Sequence, residues 1–212
     1  LSTPQPEDTR ARLLHAAAEV FAEHGYEAAT IRQICARAGA NVALVNYHFG
    51  DKLELYTEVL RTCLPPKGSP AVVLQSVGDD PLAALRQMIA AMVARGFETG
   101  DQADLRFRLM LHEFKTPSDA TARIVDVVMR PVYDCLLEIV GTILKLPPDD
   151  NKTRLCVHSI LGQVAHFAHS RHMINLLWPE LCSDEAHRER VTEHIFQFST
   201  AYLVSPSKRR AK

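Results

Sequence analysis

The chain has 212 residues, with 47 % hydrophobic and 23 % charged side chains, an ordinary globular composition long enough to bury a core without disulfides or metals. The net charge is −1, so nothing in the overall balance announces a nucleic-acid binder, and no uninterrupted apolar run approaches the roughly 20 residues that a membrane helix needs. The five cysteines are scattered, without a C-x-x-C pair, and the opening LSTPQPEDTR carries no apolar signal-peptide segment; both features point to a cytoplasmic protein rather than a secreted disulfide scaffold.

Helical periodicity runs through the sequence and alternating strand patterns are missing, which predicts an all-α fold without internal repeats. A first helix is expected over about residues 7–24. Its stripe is Leu14, Ala17, Ala18 and Phe21, flanked by Leu13 and Val20, and Gly25 stops it. A second helix follows Thr30, because Thr30-Ile-Arg-Gln33 is a capping-box pattern; Ile31, Ile34, Cys35 and Ala38 point inward and Gly39 ends it. A short third helix covers about residues 42–48, with Asn41 as its N-cap and Gly50 as its breaker. Asp51-Lys-Leu-Glu54 opens a fourth, whose apolar face is Leu53, Tyr56, Leu60 and Cys63 and which ends at Pro65-Pro66.

Residues 65–80 are rich in breakers and read as a linker, so a first domain is placed at residues 1–64 and a second at 81–204. Asp80-Pro81 is an N-cap followed by a first-turn proline, opening a helix to about Glu98, and Gly100-Asp101 starts another to about Phe114. A longer helix is expected over about 118–146, kinked or split by Pro131 and stopped by Pro147-Pro148. The last two helices are placed at about 149–176 and 183–204, the latter with Val191, Ile195, Phe198 and Tyr202 on one face. The basic tail, residues 205–212, is expected to be disordered.

Two short helices joined by a tight turn at Gly39, after a longer helix, form the layout of a helix-turn-helix, whose second short helix enters the major groove. Residues 16–56 closely resemble the N-terminal domain of TetR-family repressors. The matching residues are Phe21, Gly25, Tyr26, Thr30, Ile34, Ala38, Gly39, Tyr47, His48, Phe49, Gly50, Lys52 and Leu53. Ala40 stands where the family usually has Val, and Asn46 replaces an aromatic; the NVA…NYHFG variant is similar to the CecR-type subgroup.

That resemblance implies a ligand-responsive transcriptional repressor: a homodimer on a palindromic double-stranded DNA operator, released by a small-molecule inducer, with no cofactor and no membrane partner. In the N-terminal part, Arg10, Arg12, Arg32, Arg37, Lys52 and Arg61 are outweighed by acidic residues, so the grip on DNA must come from individually placed groups. Thr30 sits at a helix N-terminus suited to a phosphate, and Tyr47, His48 and Lys52 can also hold the backbone. Asn41 and Asn46 match adenine edges, Val42 and Ala43 can pack on a thymine methyl, and Arg32 reaches either groove or phosphate. Thr30 and Asn41 are helix caps on any reading, and Phe21, Tyr26, Ile34, Phe49 and Leu53 are core.

The later helices are expected to bind the inducer and form the dimer. Candidate pocket residues are Met88, Met92, Phe107, Met110, Phe114, Met129, Tyr133 and His166, with Phe97 beside them and Arg106, Arg108 and His112 as possible polar anchors, although such residues also make plain core or solvated faces. Gly162, Ala165, Phe167, Phe196, Phe198 and Tyr202 suit a four-helix dimer interface from the last two helices, with Trp178 in the loop between them. His158, His166, His169 and His172 fall on one predicted helix at spacings that could ligate a metal, which keeps a metal-sensing repressor as an alternative. An enzyme is not expected, since no H-E-x-x-H, phosphate loop or nucleophile motif occurs; a helical adaptor for a protein partner is the other alternative.

Overall fold

The computed structural model describes residues 6–63, 80–115, 117–118, 120–182 and 186–205, and every regular element among them is helical. The elements are α1 (Pro6–Ala28), α2 (Ile31–Ala38), α3 (Val42–Phe49), α4 (Lys52–Cys63), α5 (Pro81–Gly96), α6 (Asp101–Lys115) and α7 (Thr121–Ile124). A π-helical turn (Val125–Met129) follows, then α8 (Arg130–Leu144), α9 (Asn151–His169), α10 (Arg171–Leu177), a 3-10 turn (Pro179–Cys182) and α11 (His187–Leu203). Residues 65–79 of the predicted linker and the tail beyond Ser205 lie outside the described residues. No helix is long and apolar enough to cross a membrane, among the described residues.

The chain divides into two compact units, Leu1–Pro65 with Thr99–Arg130, and Pro66–Glu98 with Pro131–Lys212. Each has its own core. In the first, α1 packs on α2, α4 and α6, and Leu13, Phe21, Ile34, Val45, Leu55, Tyr56, Leu60 and Leu109 are buried together. Segment 101–130, which linear order grouped with the later helices, packs with the N-terminal ones because Leu105, Leu109, Ala120 and Ile124 join that same core. In the second unit, α5 packs on α9 and α11, around Leu85, Ile89, Leu136, Ile139, Val157, Ile160 and Ile195. On α4, Tyr56 and Leu60 are buried as expected, together with Leu55 and Val59, while Leu53 is half-buried and the side chain of Cys63 lies outside the described ones.

Local chemistry sets most helix starts. The Thr30 hydroxyl accepts from the Gln33 amide at 3.2 Å while Gln33 Oε1 accepts from the Thr30 amide at 2.8 Å, a complete capping box. Asn41, Asp51, Asp80 and Asp150 each accept a first-turn backbone N–H through Oδ1. The single helix expected over 118–146 is divided into α7, the π-helical turn and α8, with Pro131 in the first turn of α8. The residues just ahead of it are wound as the π-helical turn, which relieves the crowding of its ring against the preceding turn's carbonyl.

Two expected elements differ. The helix expected over 149–176 breaks at Ser170 (φ −97°, ψ 17°), so His172 belongs to α10 and not to the helix that carries His158, His166 and His169. On α11 the buried row is Val191, Ile195, Ser199 and Leu203, not Val191, Ile195, Phe198 and Tyr202. A helix that crosses its neighbours at an angle buries an i+4 ridge, which drifts around the axis and turns Phe198 and Tyr202 outward.

Gly25, expected to stop the first helix, lies inside α1 and breaks its regular winding in a conformation that side chains rarely adopt, φ 76° and ψ 170°. His112 of α6 packs against it and donates from Nε2 to the Ala22 carbonyl at 3.1 Å; a Cβ on residue 25 would lie 3.1 Å from His112 Nδ1. Gly25→Ala is therefore expected to destabilise the first unit by about 1–3 kcal/mol from backbone strain alone, measured by chemical denaturation. Adding His112→Ala should recover only the contact part of the loss. A melt unchanged from wild type would show that the strain is not there.

Candidate nucleic-acid interface

The turn between α2 and α3 is built on Gly39, which adopts the left-handed region (φ 60°, ψ 41°). The Ala40 amide donates to the Cys35 carbonyl at 3.0 Å, the six-to-one bond of a Schellman stop, and Ala40 is half-buried behind it. One residue later the Asn41 cap restarts the chain as α3. This short helix buries Val45 and half-buries Leu44, His48 and Phe49, while Asn41, Val42, Ala43, Asn46 and Tyr47 face outward. Tyr47 is 81 % exposed, with the His48 ring edge-on to it at 5.0 Å. An exposed face made of two asparagines, two small apolar side chains and a tyrosine offers amide and phenol donors and acceptors beside methyl contacts. That is the chemistry of base-edge and backbone contact in a groove.

Thr30 and Arg32 are exposed at the start of α2, and the Thr30 hydroxyl is engaged with Gln33 in the capping box. Lys52 is placed differently from a free phosphate contact. Its ammonium donates to the Glu27 carbonyl at 3.2 Å and sits 4.5 Å from the centre of the Tyr26 ring; burial holds its pKa below the usual lysine range. It ties the start of α4 to the end of α1.

Two supporting pairs have no signal in local sequence. Arg37 of α2 donates through both terminal nitrogens to the two Glu23 oxygens of α1, each at 2.8 Å, a bidentate fork that fixes one helix against the other. The hydrogen bond from Arg37 holds the Glu23 carboxyl below the usual carboxylate range. Deeper in the unit, Tyr56 of α4 donates to buried Glu113 of α6 at 3.2 Å and packs edge-on to Phe21 at 4.7 Å. Burial, then the Glu113 carboxylate, push the Tyr56 hydroxyl far above its ordinary pKa, so it stays a donor.

The expected ligand residues are not brought together within one unit. Phe107, Met110 and Met129 belong to the first, where Phe107 and Met129 are exposed and Met110 is half-buried; the side chain of Phe114 lies outside the described ones. Met88, Met92, Tyr133 and His166 belong to the second, with Met88 inside the core, Met92 and Tyr133 half-buried and His166 exposed. His112, considered as a polar anchor, is engaged at Ala22. Among the described residues no three histidines, cysteines or acids are grouped as a metal site would require; His158 instead pairs with the Tyr133 hydroxyl at 3.5 Å.

Of the expected interface residues, Gly162 and Ala165 are exposed on α9, and a Cβ on Gly162 would meet open space. Phe167 and Phe196 are half-buried, while Phe198 is 64 % and Tyr202 62 % exposed. Leu155, Ile160, Phe198, Tyr202 and Leu203 line an apolar groove between α9 and α11, and Lys152 lies 5.5 Å from the centre of the Tyr202 ring. Trp178 is exposed after α10.

Residues 13–59 match the family described as bacterial regulatory proteins, tetR family, and residues 81–203 match the family described as HTH-type transcriptional dual regulator CecR, C-terminal domain. The HTH-type transcriptional dual regulator CecR of Shigella flexneri is 24 % identical over 202 residues, covering 91 % of this chain and 90 % of that protein. The HTH-type transcriptional activator FasR of Mycolicibacterium smegmatis is 29 % identical over 136 residues, 64 % of this chain and 60 % of the relative. Among solved structures, NalD, the secondary repressor of the MexAB-OprM multidrug efflux pump in Pseudomonas aeruginosa, superposes with a TM-score of 0.64 at 20 % identity, covering 93 % of this chain and 97 % of that one. HlyIIR, a hemolysin II transcriptional regulator, gives 0.61 at 21 % identity, covering 90 % and 98 %. With its helix-turn-helix in place and the greater part of its length matched, the chain belongs to the TetR family of bacterial transcriptional regulators, with a C-terminal domain of the CecR type.

Proposed function

We propose that this protein is a ligand-responsive repressor that binds a palindromic operator as a homodimer and is released by a small-molecule inducer. The observation that carries the reading is the outward face of α3, where Asn41, Val42, Ala43, Asn46 and Tyr47 stand exposed beside the exposed Thr30 and Arg32. By role, residues 1–64 read DNA, and residues 81–204 bind the inducer and form the dimer. Segment 101–130, packed on α1 and α4, is the part of the second region that can act on the reading helices through them. Two copies joined through α9 and α11 would set two recognition helices roughly 34–36 Å apart, one turn of DNA. Inducer shifts the dimer only by its differential affinity for the bound and released states.

Selection from a random duplex pool at near-physiological salt tests this. A palindromic consensus is the expected result; folded protein that enriches nothing would leave an adaptor for a protein partner as the better reading. On the selected duplex, Tyr47→Ala is expected to weaken binding to all sequence variants alike, because a phenol on phosphate fixes register without reading sequence. Asn46→Ala should instead lose about 1–3 kcal/mol of discrimination at one base position and little elsewhere. A uniform loss across single-base operator variants for Asn46→Ala would remove it from the base-reading set.

A further inference from the structure

Glu113 is 5 % exposed, and among the described residues the donors to its carboxylate are all neutral. They come from three places. Tyr56 donates from α4 at 3.2 Å; Ser118 donates from its hydroxyl, at 2.9 and 3.0 Å to the two oxygens, and from its amide at 3.3 Å; Thr121 donates from the start of α7 at 2.7 Å. A carboxylate buried in this way depends on all of these bonds, since each lost donor leaves a desolvated charge less satisfied. Its neighbour His112 holds the other side of the reading unit through the Ala22 carbonyl. Adjacent residues of α6 thus hold α1 and α4 at once, while Arg123, just past Thr121, pairs with Glu54 on α4 at 3.0 Å.

Tyr56 leads to α1, the helix on which α2 packs. Its ring meets Phe21 at 4.7 Å and Tyr26 at 5.1 Å, and Tyr26 carries the Lys52 ammonium that joins α4 to the end of α1. We propose that Glu113 is a positioning residue for operator binding: one carboxylate shared between Tyr56 and the Ser118–Thr121 turn, through which a displacement of that turn is passed to α4 and the helices that read DNA. The inference rests on the operator reading above and adds to it the residue through which the reading helices are set. Tyr56 donates to Oε1 and Thr121 to Oε2, with the Ser118 hydroxyl between the two, so moving Ser118 and Thr121 shifts the carboxylate that holds α4.

The test uses the full chain, with Glu113→Gln, Tyr56→Phe, their double variant and Thr121→Val, on the duplex selected with wild-type protein. Affinity is referred to the folded, active fraction, so that a purely structural role would lower the melting temperature without moving it. Glu113→Gln and Tyr56→Phe are each expected to weaken binding about tenfold, and the double variant no more than that, where independent effects would give about a hundredfold. Backbone hydrogen exchange in the free protein should quicken across residues 52–60 in all four variants, including Thr121→Val, whose lost hydroxyl bonds to Glu113. Should Glu113→Gln fail to fold, Tyr56→Phe and Thr121→Val carry the same test. Additive losses, or α4 exchange unaltered by Thr121→Val, would overturn the proposal. Coupled exchange in a wild-type protein that selects no duplex would overturn the operator reading while the Glu113 linkage stood.

Discussion

Phe21→Ala is expected to cost about 3–5 kcal/mol of stability, a large fraction of the roughly 5–15 kcal/mol that holds a domain together. Phe21 is fully buried, and its ring forms a cluster with those of Tyr56, at 4.7 Å, and Tyr26, at 6.2 Å. Its removal would leave a cavity where α1, α2 and α4 meet, lined by rings too rigid to collapse into it. The chain provides a way to see where the loss falls. Its one tryptophan, Trp178, is in the second unit, so fluorescence follows that unit while far-ultraviolet circular dichroism follows both. In urea, the expected outcome is an earlier dichroism transition with the fluorescence transition little moved. A joint shift of both signals would mean that the two units unfold as one, and a loss below about 1 kcal/mol would contradict the aromatic core described for the first unit.

Much of that first unit can be read from the sequence because its decisive interactions are local. The Thr30–Gln33 box, the Asn41 cap and the left-handed Gly39 each act within a few residues, and their side-chain chemistry leaves few alternatives. The bonds that orient these helices against each other are not local. Glu23–Arg37 spans 14 positions and Tyr56–Glu113 spans 57; nothing in the neighbourhood of either residue singles out its partner. For the same reason segment 101–130 looks by order like part of the later helices, whereas its buried leucines complete the N-terminal core. The break at Ser170 also lacks a strong signal, since neither glycine nor proline marks it and the histidine spacing runs on as if unbroken. Lys52 shows how one residue type serves two purposes: a lysine in the first turn of a helix suits a phosphate, and here the same ammonium ties α4 to the end of α1 over Tyr26.

Phe198→Glu is the substitution expected to affect operator binding most while leaving the fold alone. Phe198 sits on α11 with much of its ring in solvent, so a carboxylate there disturbs little of the second unit's core, which runs through Val191, Ile195 and Leu203 instead. In a dimer joined through α9 and α11, the same carboxylate would be buried among Leu155, Tyr202 and the copy's own apolar face, without a designed partner. Sedimentation should then find monomer where wild type is dimeric. A monomer reads one half-site. The second recognition helix no longer benefits from being tethered to the first, so affinity for the full palindrome should fall by about 10²–10⁴-fold. Affinity for an isolated half-site should stay near the wild-type value, because α3 and its supports are untouched. A variant that remains dimeric and keeps full affinity would place the contact between copies on another surface; one that is monomeric yet binds the palindrome unimpaired would show that the two half-sites are read independently.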